Sequence, residues 1–149
     1  MKTKRVREFI DTGFGFPIIL EGVQLVMVRG VWTPKVNHNL LEKEVLRQLM
    51  ILGGRLTGNQ IKFIRLYFDM PLAEFGARFG VSHVAALKWE KKGNKLSGMA
   101  WGIEKDIRLF IHLRIAERPK DLFRLYEQLE LAVPEKVSQI ILHMQKLAA

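Results

Sequence analysis

The chain has 149 residues, a length that suits one domain with an appendage. Hydrophobic residues make up 48% of the sequence, which is enough to form a packed core and excludes an intrinsically disordered chain. Lys and Arg number 24 against 15 for Asp and Glu, and the resulting net charge of +9 favours polyanionic partners. A basic protein that never meets nucleic acid could have the same charge, so charge alone does not decide the function.

The residue types that are missing narrow the possible functions. No cysteine is present, which excludes disulfides, thiolate zinc sites and a cysteine nucleophile, and which is consistent with a reducing cytoplasm. No stretch approaches the roughly 18 uninterrupted apolar residues of a membrane span. The basic segment MKTKRVR is followed by charged residues and glycines where a signal peptide has an apolar core. We therefore expect a cytoplasmic protein with no membrane association.

The first 38 residues contain short β-branched and aromatic runs separated by glycines. This pattern predicts two strands, at residues 16–20 and 23–28, paired across the tight turn Glu21-Gly22. Such a hairpin is only marginally stable by itself. It could cover the core of its own chain, contact a second copy of the chain, or bind a partner protein.

Residues 39–52 carry the apolar stripe of an amphipathic helix, which ends at Gly53-Gly54. This glycine pair is the predicted domain boundary. Residues 1–53 would form a hairpin-plus-helix region for dimerisation or partner binding, and residues 54–149 would form the main domain.

The main domain opens with a helix that has a clear start signal. Thr57 is its predicted N-cap, and Gln60 stands at the third position of a capping box. Lys62 and Arg65 lie on the polar side of this helix, where we expect both side chains to be solvated.

Two short helices joined by a tight turn are predicted next, between residues 72 and 90. Phe75 and Phe79 fall on one face of the first helix, and Gly80 ends that helix at a position that favours positive φ. Ser82 is a good N-cap for a second helix, whose first residue is His83. This order is typical of a helix-turn-helix.

The same stretch carries longer motifs, the lead LTGNQIKFIR and the centre FGARFGVSHVAALKWE, followed by a lysine. Together they resemble the lambda-repressor-like, XRE-type helix-turn-helix family. Within that family, the lead and the separate N-terminal region look most like antitoxin-type regulators that repress their own operons. The chain departs from the family at Pro71 and Leu72, where relatives have Ser or Thr followed by a phosphate-binding Gln. It also lacks the cysteine ligands of zinc-binding relatives.

The resemblance and the remaining periodicities predict a mainly α protein. We expect a lambda-repressor-like helical bundle with a helix-turn-helix, a small N-terminal β-hairpin region and extra C-terminal helices. After the loop KKGNKLSG come a helix at residues 101–118, a second helix beyond Pro119 and a third that begins at Pro134. The third helix would carry the apolar residues Val137, Ile140, Ile141, Met144 and Leu147.

The second motif helix supplies the predicted DNA-reading residues. The major groove admits one helix, so base readout falls to outward side chains near the start of that helix, while Trp89 points inward. The predicted base-reading residues are His83, Val84, Leu87 and Lys88. Lys88 can donate to guanine, and Val84 or Leu87 can meet a thymine methyl group. Leu87 could equally be a partly covered hydrophobe that reads nothing.

Phosphate contacts are predicted around the same helix, because charge and backbone amides there would lie at the height of the DNA backbone. The predicted phosphate-binding residues are Arg78, Ser82, Lys91, Lys92, Asn94 and Lys95. The lysine-rich part of this set could also be no more than a solvated loop.

No metal site, cofactor or enzymatic chemistry is predicted. The four histidines, His38, His83, His112 and His143, are scattered and lack ligand spacing with carboxylates. Neither a phosphate-cradling Gly-Lys-Ser loop nor a recognisable acid/base pair occurs.

The main hypothesis is a sequence-specific repressor that binds double-stranded DNA as a homodimer, on a two-fold operator with half-sites roughly 34 Å apart. The alternative is an antitoxin that binds a protein toxin through its N-terminal region and represses its own operon. A third hypothesis, an RNA-binding adaptor, is weakened by the lack of exposed aromatic platforms on paired strands.

Overall fold

The computed structural model describes residues 2–115 and 118–144. The elements in chain order are β1 (Thr3–Asp11), β2 (Ile18–Val28), β3 (Val31–Pro34), α1 (His38–Met50), α2 (Gly58–Tyr67), α3 (Leu72–Arg78), α4 (His83–Glu90), α5 (Trp101–Arg114), α6 (Pro119–Gln128) and β4 (Ile141–His143). Within the described ranges, no helix combines the length and the apolar character needed to cross a membrane.

The chain forms two compact units. The first unit contains the residues up to Val45 together with those from Gln139 onward, and the second contains Leu46–Ser138. These units do not coincide with the expected segments 1–53 and 54–149, because the C-terminal segment pairs with the N-terminal strands. The role of residues 1–53 in dimerisation or partner binding stays a prediction.

The first unit is built on a four-stranded sheet. β1 pairs antiparallel with β2 from Thr3↔Val26 to Asp11↔Ile18. β3 pairs antiparallel with β2, and β4 pairs parallel with β2 at Ile19↔Ile141. The expectation of a mainly α bundle with only a small hairpin is therefore wrong, and the protein is a mixed α/β protein with six helices and a four-stranded sheet in its described residues.

The predicted hairpin is also wrong, because Glu21-Gly22 lies inside a single long strand. Gly22 has a φ of +65°, and the alternation of buried side chains shifts by one residue there. The tight turn lies instead between β2 and β3. Arg29 and Gly30 both have positive φ, at 50° and 79°, which is the conformation required of the two central residues of a type I′ hairpin.

The last predicted helix is replaced by irregular chain and the short strand β4. Ile140, Leu142 and Met144 are buried, whereas Ile141 is 40% exposed, so burial alternates with the period of a strand. The backbone carbonyl of Ile140 also accepts a hydrogen bond from the amide of Ile19, at 2.9 Å. A strand partner therefore overrode the helical spacing of these residues; Leu147 of the predicted stripe lies outside the described residues.

The helices of the second unit surround an aromatic core. The ring of Phe110 in α5 meets the rings of Phe68 and Phe79 edge-on, at centroid distances of 5.1 and 5.5 Å. The capping box of α2 is confirmed, since the Thr57 hydroxyl accepts from the Gln60 amide and the Gln60 side chain accepts from the Thr57 amide. α5 ends at Arg114 rather than at residue 118, and residues 116 and 117 lie outside the described ranges.

Candidate nucleic-acid interface

Local sequence signals build α3, α4 and the turn between them. Phe75 and Phe79 are buried with their rings 4.9 Å apart, and Gly80 then adopts a φ of +75°, which ends α3. Gly76 is needed for close packing, because a Cβ there would lie 2.6 Å from the carbonyl oxygen of Val81. The two predicted helices of this motif are therefore confirmed, at Leu72–Arg78 and His83–Glu90.

The start of α4 is fixed by a side-chain cap. The Ser82 hydroxyl accepts a hydrogen bond from the Ala85 amide at 3.1 Å, as its N-cap position predicts. Ser82 is itself exposed, so its hydroxyl hydrogen is still available for donation to an external acceptor.

α4 has one buried face and one exposed face. Ala86, Trp89 and Glu90 are buried, which confirms that Trp89 points inward. On the other face His83, Val84 and Lys88 are exposed, and Leu87 is half-buried. The structure therefore brings the four predicted base-reading residues together on one accessible side of a two-turn helix, with Leu87 at its margin.

The basic loop after α4 is fastened to the beginning of α2. The Gly58 amide donates to the Lys95 carbonyl at 3.2 Å, and the Asn59 amide donates to the Gly93 carbonyl at 2.8 Å. The Asn59 side chain also donates to Asn94 Oδ1 at 3.1 Å. The Asn94 side chain is itself exposed.

The lysines of this loop carry its charge. Lys91, Lys92 and Lys95 are exposed, and they directly follow the last turn of α4. The structure thus holds Asn94 and three lysines of the predicted phosphate-binding set in a loop with a defined backbone, beside the helix that carries Lys88.

Arg78 lies in a different setting from the rest of the predicted set. Its guanidinium pairs with Asp106 of α5 at 3.2 Å and stacks over the rings of Phe79 and Phe110, at 4.8 and 5.0 Å. This side chain is about one-third exposed. A phosphate contact by Arg78 would have to compete with Asp106.

The prediction that Arg65 is solvated is wrong. Its side chain is 12% exposed and forms two hydrogen bonds to the carboxylate of Glu90, at 2.7 and 3.0 Å. It also donates to the carbonyl of Met70 at 3.0 Å. Arg65 therefore ties the end of α4 to α2, whereas Lys62 is exposed as expected.

The Arg65–Glu90 pair changes the electrostatics of α4. Glu90 is the only carboxylic residue between residues 81 and 98, and the same stretch contains four lysines. Because Glu90 is buried and its charge is matched by Arg65, the exposed face of this segment carries positive charge only.

A second buried ion-pair network holds α5 in place. Glu104 accepts from Arg55 Nε at 2.9 Å and from Arg108 Nη2 at 2.7 Å. Arg108 also donates to the carbonyls of Leu52 and Gly54, at 2.6 Å each. Burial lowers the pKa of Arg108, and the charge and hydrogen bond of Glu104 oppose that change. The i, i+4 spacing of Glu104 and Arg108 on the apolar side of α5 was the available sequence signal.

Within residues 2–115 and 118–144, no cluster of three or more histidine, cysteine or acidic side chains is arranged to hold a metal ion.

Comparisons with protein-family models, with curated proteins and with solved structures found no match.

Proposed function

We propose that this protein binds double-stranded DNA in a sequence-specific manner and acts as a transcriptional repressor. The observation that carries the proposal is the exposed side of α4, which presents the side chains of His83, Val84 and Lys88. The one carboxylate of this segment, that of Glu90, is paired with Arg65. A helix with its side chains is about 10–12 Å across, which fits the roughly 12 Å width of the major groove.

In this proposal the readout and positioning roles are divided between α4 and the loop that follows. Lys88 donates to guanine O6 or N7, His83 donates to an acceptor on a base or phosphate, and Val84 contacts a thymine methyl group. Lys91, Lys92, Lys95 and Asn94 position the duplex through its phosphates. The hydrogen bonds from Gly58 and Asn59 to the loop reduce the entropy that would be lost when the loop is ordered on DNA.

A two-turn helix reads only a few base pairs, so the proposal includes a homodimer on a two-fold operator. Half-sites would then be separated by roughly one helical turn, about 34 Å. Repression would follow from occupancy of the operator.

The test is selection of bound duplexes from a random pool by the full chain, followed by titration of the enriched site. We expect a palindromic consensus and an affinity at least about a thousandfold above that for random duplex. Failure to enrich any duplex would contradict the proposal, as would stronger binding of single-stranded RNA than of duplex DNA in direct competition.

A second function, binding of a protein toxin by the first unit, is favoured by the exposed strand β1. Among the described strands β1 pairs with β2 alone, so its other edge is not used by the sheet. An unpaired edge is a template for an added strand of another protein. Co-expression with the product of an adjacent short reading frame would test this function, and the absence of a stable complex would contradict it.

A further inference from the structure

The outer side of α6 presents two aromatic side chains to solvent. Phe123 is 68% exposed and Tyr126 is 52% exposed, while Leu125 and Leu129 on the opposite side of the helix are buried. Lys105 of α5 stands over the Tyr126 ring, with its Nζ 4.2 Å from the ring centroid, which holds this ring in place. Two exposed rings at i, i+3 spacing lie side by side on the helix and form the kind of surface that another protein covers.

Charged residues flank the two rings on the same side of α6. Lys120 stands three residues before Phe123 and Glu127 four residues after it, so all three side chains share one helix face. Both charged residues are exposed, and neither forms an ion pair or a side-chain hydrogen bond with another described residue. Their separation of seven positions is the repeat at which ion pairs form between neighbouring helices.

The order of these two charges is unfavourable for a helix that stands alone. The amino end of a helix carries a partial positive charge, and its carboxyl end carries a partial negative charge. Lys120 lies in the first turn of α6 and Glu127 in the last, so each charge lies at the helix end that repels it. Asp121 in the first turn has the favourable sign, but it accepts a hydrogen bond from Arg118 and does not belong to this face. A neighbouring helix that runs in the opposite direction would make both Lys120 and Glu127 favourable, because it reverses the dipole beside them.

We infer that the outer side of α6 is a self-association surface, and that it binds α6 of a second copy of the chain, antiparallel across a two-fold axis. In a two-fold interface, a contact of residue i with residue j is repeated as a contact of j with i. Phe123 of each copy then packs on Tyr126 of the other, and Lys120 of each copy pairs with Glu127 of the other. The axis positions that these two pairings require differ by one residue, about 1.5 Å along the helix, which flexible side chains can absorb.

A second copy suits this face because the face supplies both members of each contact. No residue of α4 or of the loop after it takes part, so the dimer does not use the proposed DNA-reading side chains. The inference deepens the proposed function, on which its link to a two-fold operator rests, but self-association itself is measured without DNA.

The first test is sedimentation velocity of the full chain over the micromolar concentration range. We expect a monomer–dimer equilibrium with a Kd of about 10 μM, because one pair of short helices is at the small end of specific interfaces. Phe123→Ala should weaken the dimer at least about tenfold, since an aromatic anchor is lost. Leu66→Ala, which removes an exposed apolar side chain from α2, is the matched control and should leave the Kd unchanged.

Charge reversals test the direction of the pairing. Lys120→Glu alone and Glu127→Lys alone should each weaken self-association at least about tenfold, because like charges then meet across the axis. An equimolar mixture of these two variants should form a heterodimer, and a chain with both reversals should self-associate like the parent, because opposite charges meet again in both cases. Lys62→Glu makes the same change of net charge on α2 and should have no effect on the Kd.

The inference is overturned if the chain stays monomeric, if Phe123→Ala dimerises as tightly as the parent, or if the two single reversals do not pair with each other. A monomeric chain that binds a different protein through Phe123 would likewise overturn it. A dimer that responds to these substitutions but enriches no duplex would contradict the proposed function alone. A chain that enriches a palindromic duplex while its dimer is insensitive to Phe123→Ala would contradict only the inference about α6.

Discussion

Arg65 and Glu90 form a two-point ion pair, with Arg65 Nε 2.7 Å from Glu90 Oε2 and Arg65 Nη2 3.0 Å from Glu90 Oε1. This pair connects α2 to the last residue of α4, and it removes the one negative charge from a segment that otherwise presents lysines. The same interaction therefore fixes the orientation of α4 and sets the sign of its electrostatic field.

Glu90→Gln should lower the free energy of unfolding by about 2 kcal/mol, because the uncharged amide cannot accept both bonds and leaves the Arg65 guanidinium partly unpaired in a poorly solvated position. Urea denaturation of the two proteins measures the difference. Glu74→Gln is the matched control, since Glu74 is exposed on α3, and it should change the stability by less than about 0.5 kcal/mol. Equal effects of the two substitutions would show that the Arg65–Glu90 pair contributes nothing to stability.

Lys88→Ala should weaken binding to the selected operator by about 1–3 kcal/mol and relax the preference at one base pair, because a base-specific donor would be lost. Electrophoretic mobility shifts on the operator and on single-base variants measure both effects. Lys62→Ala, which removes another exposed lysine, from α2, is the control and should retain the full base preference. If Lys88→Ala reduces binding to operator and random duplex by the same factor, Lys88 contacts only phosphate.

Simultaneous replacement of Lys91 and Lys92 by alanine should reduce the salt dependence of DNA binding. Each phosphate contact releases about 0.9 counterion from B-DNA, so losing two contacts should make the slope of log K against log salt shallower by about 1.8. Titrations at several salt concentrations with the parent and the double variant give the two slopes. Parallel lines would mean that these two exposed lysines do not reach the DNA backbone.

The helix-turn-helix geometry was predictable because its signals are local. A Ser N-cap, a glycine at positive φ and two phenylalanines one helical turn apart lie within a few residues of each other, and each favours the observed conformation by itself. The exposure of His83, Val84 and Lys88 followed from the same helical periodicity. The pairing of Arg65 with Glu90 could not be read in this way, because the two residues are 25 positions apart and meet only in the folded unit.

The sheet was missed for a different physical reason. β1 is rich in charged residues and is mostly exposed, so it has no clean alternation of apolar and polar side chains for a sequence pattern to detect. Around β4, the residues Ile140, Ile141 and Met144 satisfy helical spacing, while Ile140, Leu142 and Met144 satisfy strand spacing. Only the contact with β2, more than a hundred residues away in the chain, decides between these two patterns.

Gly58→Ala should destabilise the second unit by more than about 3 kcal/mol, because this glycine marks the closest approach between α2 and the end of α4. A Cβ at Gly58 would lie 2.3 Å from the backbone oxygen of Trp89 and 2.9 Å from that of Glu90, so backbone rather than a flexible side chain would have to move. Gly102→Ala is the matched control, because a Cβ at this exposed position in α5 meets nothing within 4 Å.

The control should be neutral or stabilising by up to about 1 kcal/mol, since alanine is the better helix former. Thermal and urea unfolding of both variants measure the changes. Because a side chain at Gly58 would displace α4 and the loop after it, Gly58→Ala should also lose affinity for the operator. A Gly58→Ala protein as stable as the parent would show that α2 and α4 do not cross as closely as these distances require.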